Sequence, residues 1–302
     1  MSSCTRPILA VDFGIDESTG KHKIKILPKR VDTNITELRR LYGDMLVLLP
    51  CGSCLACRAA RSKDWANRCY LESLDYDENY FITLTYDDNN CPYELVKSHV
   101  QKFVKDLRNH GYEFRYFLCG EYGSRTGRPH YHLLAFGLNL TDLVYHSQSA
   151  KDSKMFVSDT LDHIWNKGFV SVCHMTPETI CYTSRYCTKK LGSKDFANEF
   201  ILMSRRPGLG YSWIEKHYHE LIDDQHLYLG DYGVKGLSRY IKEFIKKKLP
   251  DIYQKMSEKN KNDFSKSLVS NRLKYKKSEE KILDDSHDSN IRRDLRNKRG
   301  NL

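Results

Sequence analysis

The sequence predicts an α+β fold, a sheet with helices packed on it, and three observations carry that prediction. Tyr80-Phe81-Ile82-Thr83-Leu84-Thr85-Tyr86-Asp87-Asp88 is rich in β-branched and aromatic residues and ends in a polar turn, which is the composition of a strand. Arg115-Tyr116-Phe117-Leu118-Cys119-Gly120-Glu121-Tyr122-Gly123 and Pro129-His130-Tyr131-His132-Leu133-Leu134-Ala135-Phe136 are two further runs of this kind. They are joined by Ser124-Arg125-Thr126-Gly127-Arg128, a Gly-containing connection that makes them a hairpin. Ala59 to Leu74, with Trp65, Cys69 and Leu71 among charged positions, and Val96 to Leu107, with Val100, Phe103 and Val104 at helical spacing, read as amphipathic helices. Both are expected to cover one face of the sheet.

The later elements follow from the same rules. A polar stretch, Ser147 to Ser153, precedes a short helix through Leu161 and Trp165, and Gly168-Phe169-Val170-Ser171-Val172 is a strand. Thr176-Pro177-Glu178 is a helix start with proline in the first turn. Ser212 to Leu221 reads as another helix. The 302 residues are 40% hydrophobic, enough for one large domain or two modest ones. The longest apolar run near the start, Met45-Leu46-Val47-Leu48-Leu49, is far too short to span a bilayer, and Met1 to Pro7 lacks the pattern of an export signal. A soluble cytoplasmic protein is the expectation. No internal repeat is present.

The chemistry concentrates in two places. In the histidine strand, residues two apart project to the same side, so His130 and His132 converge on one point and are able to share a metal ion. Glu121, on the neighbouring strand of the hairpin, is the candidate third ligand. About fifty residues later, Tyr182-Thr-Ser-Arg-Tyr186-Cys-Thr-Lys189-Lys190 places Tyr182, Tyr186 and Lys189 on one helical face. A phenol with an ordinary pKa near ~10 is a weak nucleophile, and attack on phosphorus needs a nearby cation or Lewis acid. Taken singly, His-x-His and Tyr-x-x-x-Tyr are equally explained by packing. His217-Tyr218-His219 is the internal control: on a helix its rings splay apart, so it is read as structural.

Taken in order, the Thr-rich strand, the histidine strand and the tyrosine helix with trailing lysine resemble the HUH endonuclease superfamily. The closer resemblance rests on Pro50-Cys51-Gly52-Ser53-Cys54-Leu55-Ala56-Cys57-Arg58, Gly120-Glu121-Tyr122-Gly123, Gly127-Arg128-Pro129-His130-Tyr131-His132, the double-tyrosine helix and Ser204-Arg205-Arg206-Pro207-Gly208-Leu209-Gly210. Together these are similar to the replication initiators of gokushovirus-type microviruses, small single-stranded DNA phages, from roughly Leu46 to Trp213. The resemblance implies a central antiparallel sheet flanked by helices, related to the ferredoxin-like plan. It implies rolling-circle initiation: nicking of one origin strand, attachment through a phosphotyrosine, and later closure of the displaced strand. It also implies Tyr182 and Tyr186 as nucleophiles, His130 and His132 as ligands of Mg²⁺ or Mn²⁺, and viral origin DNA as partner. The host bacterial cytoplasm is the implied location.

Three further features bear on function. From Lys235 onward there are 20 Lys and Arg against 10 Asp and Glu, with 29 of each before it, so the net charge of +10 resides in the tail. That segment attracts polyanions without reading sequence or merely solubilises the chain. The domain reading is an endonuclease domain over residues 1–240, containing the Cys-rich segment 51–69, followed by a basic tail over 241–302. Arg205 and Arg206 in the glycine-rich loop, with Arg185 and Lys190 beside the tyrosines, are candidate DNA contacts. Of ten cysteines, Cys51, Cys54, Cys57 and Cys69 are the candidates for structural zinc. Ordinary helix-start and core cysteines are the alternative, since zinc sites usually draw pairs from separate places. A disulfide framework is not expected in a cytoplasmic protein.

These readings combine in a metal-dependent nicking and strand-joining enzyme. No P-loop motif is present, so a host helicase and polymerase are the expected partners. A relaxase or transposase using the same chemistry, and a noncatalytic zinc-containing DNA-binding protein, are the alternatives.

Overall fold

The computed structural model describes residues 4, 6–19, 21–28, 35–123, 125–148, 154–185, 199–224, 226–228, 234–259 and 262. They belong to two compact units, Met1–Ala60 with Asp251–Leu302, and Arg61–Pro250.

In the first unit, β1 (Ile8–Asp16) lies between β2 (Lys21–Ile26) and β3 (Leu46–Leu49) in an antiparallel sheet. Helix α1 (Ile35–Tyr42) precedes β3, and α2 (Leu55–Ser73) follows it. Every side chain of β2 is exposed, whereas Ala10 and Val11 of β1 are buried.

The second unit is built on a seven-stranded sheet. Its strands are β4 (Asn79–Thr85), β5 (Arg115–Tyr122), β6 (Pro129–Phe136), β7 (Leu143–Gln148), β8 (Lys154–Ser158), β9 (Val170–His174) and β10 (Phe200–Met203). They run in the order β10-β5-β6-β4-β9-β8-β7, and every pair is antiparallel. The predicted α+β class, a central antiparallel sheet flanked by helices, is therefore what the chain adopts. The expected hairpin is β5–β6, and its loop is closed by Gly123 N–H to the Arg128 carbonyl at 2.9 Å and Gly127 N–H to the Gly123 carbonyl at 2.8 Å. Gly127 takes φ 65°, a left-handed conformation that glycine enters without penalty.

Helices cover both faces, not one, which corrects the sequence reading of the two amphipathic helices. Tyr131, Leu133 and Ala135 of β6 face α3 (Lys97–Asn109) and α4 (Asp159–Trp165), packing with Val100, Phe103, Leu107, Leu161 and Trp165. Leu134 and Phe136 face the other way, where Cys69 of α2 and Ile180 of α5 (Pro177–Arg185) complete a second cluster. The physical reason is the composition of β6: apolar residues at both odd and even positions bury both faces, and each face needs its own cover. Each fully buried Leu or Phe contributes about 1.5–3 kcal/mol. Two elements beyond the sheet, β11 (His226–Tyr228) and β12 (Val234–Gly236), form a small ribbon between α6 (Tyr211–Asp224) and α7 (Arg239–Lys248). The expected tail boundary at residue 241 falls inside α7, whose Ile241 and Ile245 are buried. Residues 263–302 lie outside the described residues.

Candidate active site

The hairpin register sets the site. Glu121 on β5 pairs with His130 on β6, and His132 stands between Cys119 and Thr83 of β4. His130 and His132 share a face because strand side chains alternate, and Glu121, directly across from His130, projects to that same face. The side-chain atoms meet as that geometry requires. Glu121 Oε1 lies 2.8 Å from His130 Nε2 and 2.8 Å from His132 Nε2. Glu121 is therefore brought to the histidine pair, which hairpin pairing alone had left open.

The far nitrogens are held too. His130 Nδ1 lies 3.2 Å from the Arg128 carbonyl, and His132 Nδ1 lies 3.1 Å from Thr83 Oγ1. Such outer contacts fix ring orientation and leave Nε2 aimed inward. Phe81 stacks on His132 at 5.2 Å with planes 16° apart, buttressing it from the side of β4. Glu121 is 3% exposed. Burial alone would raise its carboxyl, but hydrogen bonds from His130 and His132 outweigh that and hold it down at about 2. It is thus an anion at neutral pH. One ligand atom from each of Glu121, His130 and His132 lies within 4.8 Å of the others, so the three form a group able to hold one metal ion.

Helix α5 brings the phenol. Thr176 caps it: Thr176 N–H donates to Thr179 Oγ1 at 2.9 Å and Thr179 N–H to Thr176 Oγ1 at 3.4 Å. Pro177 then occupies the first turn, where its missing N–H costs nothing. Ile180, Thr183 and Ser184 are buried, and the two hydroxyls are satisfied by the carbonyls of Thr179 and Ile180. Tyr182 stays 37% exposed while its hydroxyl donates to Glu121 Oε1 at 3.0 Å. Its ring meets His132 edge-on at 5.2 Å. Tyr186, Lys189 and Lys190 lie outside the described residues. Arg185 closes α5 and is exposed.

Arg205 and Arg206 do not join this cluster. They are exposed at the far end of β5, where Ser204 N–H donates to the Tyr116 carbonyl. Tyr116 and Glu121 are five residues apart on one strand, about 17 Å at ~3.4 Å per residue. Sequence reasoning missed what holds this loop. Glu72 of α2 pairs with Arg115 and accepts from Gly210 N–H at 2.6 Å, while Arg115 donates to the Pro207 carbonyl at 2.6 Å. Arg68 donates to the Leu209 carbonyl at 3.1 Å and lies 3.8 Å from the ring centre of Tyr240. A lone Glu72 inside an otherwise apolar helix stripe was the available signal.

The cysteines form a second group. Cys4, Cys51, Cys54 and Cys57 each bring a sulfur within 4.8 Å of the others. Cys69, expected as the fourth thiol, is instead fully buried among Phe117, Leu134 and Leu209. Burial and the adjoining thiols Cys4 and Cys54 push the Cys57 thiol up to about 12. His217, the control, sits on α6 as expected, with Nδ1 2.8 Å from the Trp213 carbonyl.

Comparison with known proteins agrees with this geometry. Residues 79–191 match the family of the replication-associated protein ORF2, a span that contains Glu121, His130, His132 and Tyr182. The chain is 36% identical over 205 residues to "Replication-associated protein ORF2" of Spiroplasma virus 4, covering 62% of this chain and 63% of that protein. It is 28% identical over 250 residues to "Replication-associated protein VP4" of Bdellovibrio phage phiMH2K, covering 78% of each. It is 26% identical over 215 residues to "Replication-associated protein ORF4" of Chlamydia phage 1, covering 66% of this chain and 54% of that protein. The chain thus spans less than two thirds of the length of the first and third of these relatives. No solved structure gives a significant match. The resemblance carried by the ordered motifs therefore holds, and this chain is a relative of the replication-associated proteins of microvirus-like phages.

Proposed function

We propose that this protein initiates rolling-circle replication of a single-stranded DNA phage by nicking one origin strand and becoming linked to its 5′ phosphate through tyrosine. The observation that carries this reading is the Tyr182 hydroxyl, exposed to a strand from outside yet 3.0 Å from the carboxylate of the Glu121, His130, His132 group. A nucleophile beside a metal-ligand set is the arrangement that phosphoryl transfer needs.

The donor set fits a divalent ion: one anionic oxygen and two imidazoles, each oriented through its other nitrogen. Imidazole suits first-row metals better than Mg²⁺, so of the two expected ions Mn²⁺ is the better match. When bound, the ion polarises a phosphate oxygen and offsets charge developing in the transition state. The Tyr182 oxygen attacks phosphorus, the P–O3′ bond breaks, and the leaving oxygen takes a proton to give the 3′-OH. Solvent accepts the phenol proton. Attack by a 3′-OH on the phosphotyrosine reverses the step and joins the strand, with the phosphodiester energy conserved. Tyr186 serves as the second nucleophile for the cut that ends a round, with Lys189 and Lys190 as nearby cations.

Arg185 at the end of α5, and Arg205 with Arg206 some five nucleotides of B-form strand away at ~3.4 Å each, would hold flanking phosphates. The basic tail adds affinity without specificity. Strand separation and extension of the 3′-OH fall to a host helicase and polymerase in the bacterial cytoplasm. No helix among the described residues is long and apolar enough to cross a membrane. Structural Zn²⁺ is the ion that the four-thiol group suits, and it takes no part in these steps.

The test is a covalent adduct. Full-length protein with single-stranded origin DNA and Mn²⁺ should give a band shift that survives denaturing electrophoresis. Tyr182→Phe and Tyr186→Phe should each retain some adduct and the double variant none, with mass spectrometry locating DNA on both positions. DNA on one residue alone would make this a one-tyrosine nickase. No adduct with any strand of the cognate genome would sink the enzyme and leave a DNA-binding protein.

A further inference from the structure

The four-thiol group lies in the unit that has the least apolar core. Among the described residues of Met1–Ala60 and Asp251–Leu302, the buried apolar side chains are Cys4, Ala10, Val11, Ala56, Cys57 and Met256. Three short strands with so little to bury are marginal on area alone, and small units of this kind are commonly closed by a disulfide or a metal.

The sulfurs have the spacing of a metal site. Cys4 Sγ lies 3.8 Å from Cys54 Sγ, and Cys51 Sγ lies 3.9 Å from Cys57 Sγ. A disulfide would bring two sulfurs to about 2.05 Å. Four thiolates about 2.3 Å from a tetrahedral zinc stand about 3.8 Å apart along each edge, which is what both pairs show. The backbone treats these sulfurs as anions. Cys51 N–H donates to Cys4 Sγ at 3.4 Å, Cys54 N–H to Cys51 Sγ at 3.2 Å, and Cys57 N–H to Cys54 Sγ at 3.4 Å. Gly52 takes φ 72° between the first two of the three clustered thiols, and that turn folds Cys54 back toward Cys51. Cys57 is in the first turn of α2, where the helix dipole favours negative charge.

We propose that Cys4, Cys51, Cys54 and Cys57 bind one structural Zn²⁺ as a closed tetrathiolate, tying the chain just before β1 to the start of α2. All four positions are filled by protein, so no site remains for water or substrate, and the ion is structural. Cys4 is 47 residues from Cys51, so the ion closes a long loop, and its binding free energy becomes folding free energy of this unit. Cys69 is not a ligand. The assignment is independent of the nicking reaction, because it is read from metal content.

The experiment is elemental analysis and cobalt substitution of the full-length protein. Expression in zinc-supplemented medium and purification without chelator should give one zinc per chain, and Co²⁺ exchange should give the intense visible bands and thiolate charge-transfer absorption of tetrahedral CoS₄. Cys4→Ser should lower Zn²⁺ affinity by more than the roughly 10–100-fold that removing a hydrogen-bond partner of a ligand costs, and shift the cobalt spectrum. Because Cys4→Ser also risks misfolding, Cys69→Ser is the matched variant: it should keep full zinc and an unchanged cobalt spectrum. Circular dichroism on chelator-treated wild type should show loss of structure restored by Zn²⁺. Absence of zinc with failure to take it up, iron at full occupancy, a disulfide among these cysteines, or full zinc retention by Cys4→Ser would each overturn the assignment.

Discussion

Glu72→Ala tests whether one buried carboxylate positions the basic loop. Glu72 is 3% exposed and its two oxygens serve two partners, the Arg115 guanidinium and the Gly210 N–H. Removing one member of a buried ion pair costs about 3–5 kcal/mol, because the other charge is stranded. The orphaned Gly210 N–H would add ~1–3 kcal/mol if fully desolvated. Two relaxations reduce the sum: Arg115 is 19% exposed on its side chain and keeps the Pro207 carbonyl. The net expectation is about 3–4 kcal/mol, a large part of the ~5–15 kcal/mol that holds an ordinary domain. Urea unfolding should show this as a lower midpoint with an unchanged m-value. Glu72→Gln, which keeps an acceptor for Gly210, should lose less. The milder variant then reads function: with Arg205 and Arg206 no longer held, binding to single-stranded DNA should weaken and its salt slope should fall by about 0.7 for each phosphate no longer neutralised. A destabilisation below about 1 kcal/mol in Glu72→Ala, or a Glu72→Gln variant with wild-type affinity and slope, would refute the claim that this carboxylate organises the loop.

Other expectations can be checked alongside. His132→Ala and Glu121→Gln should each abolish adduct formation while DNA binding persists, and adduct yield should fall with EDTA and return with Mn²⁺ more fully than with Mg²⁺; full activity in excess EDTA would contradict the metal role. Deleting residues 263–302, which carry 11 Lys and Arg, should flatten the salt dependence of duplex binding by about 0.9 for each phosphate the tail neutralised and leave nicking at high protein concentration intact. Asp142 is held below the ordinary carboxylate range: burial opposes this, but Thr160 N–H at 2.9 Å and Ser158 Oγ at 2.8 Å outweigh it. Its contribution is therefore complete above its unfolded pKa of about 3.9 and is lost as pH falls through its lower folded value. Asp142→Ala should destabilise by about 1–2 kcal/mol at neutral pH and show a shallower acid limb in a stability-against-pH profile; an unchanged limb would remove Asp142 from the account.

Local periodicity made much of this protein legible. Strand alternation put His130 and His132 on one side, the short Gly127 loop put Glu121 across from His130, and Thr176-Pro177 started the helix that carries Tyr182. Each of these depends on residues within a few positions of one another, where backbone geometry leaves few options. Tertiary structure alone decided the rest. Whether Glu121 faced the histidines depended on the pairing register, since a shift of one residue would turn it to the opposite face. The two amphipathic helices went to opposite faces because β6 buries both, a property of the finished sheet rather than of either helix. Glu72 found Arg115 and Gly210 across long sequence separations, 43 residues in one case and 138 in the other. Cys4, not Cys69, completed the thiol group for the same reason: Cys69 is near the cluster in sequence but points into the core of α2's packing face, and the pairing of β1 with β3 carries Cys4 to Cys51. Spacing reports what a chain can do over one turn or one hairpin, and the closure of long loops is settled only by what the whole fold buries together.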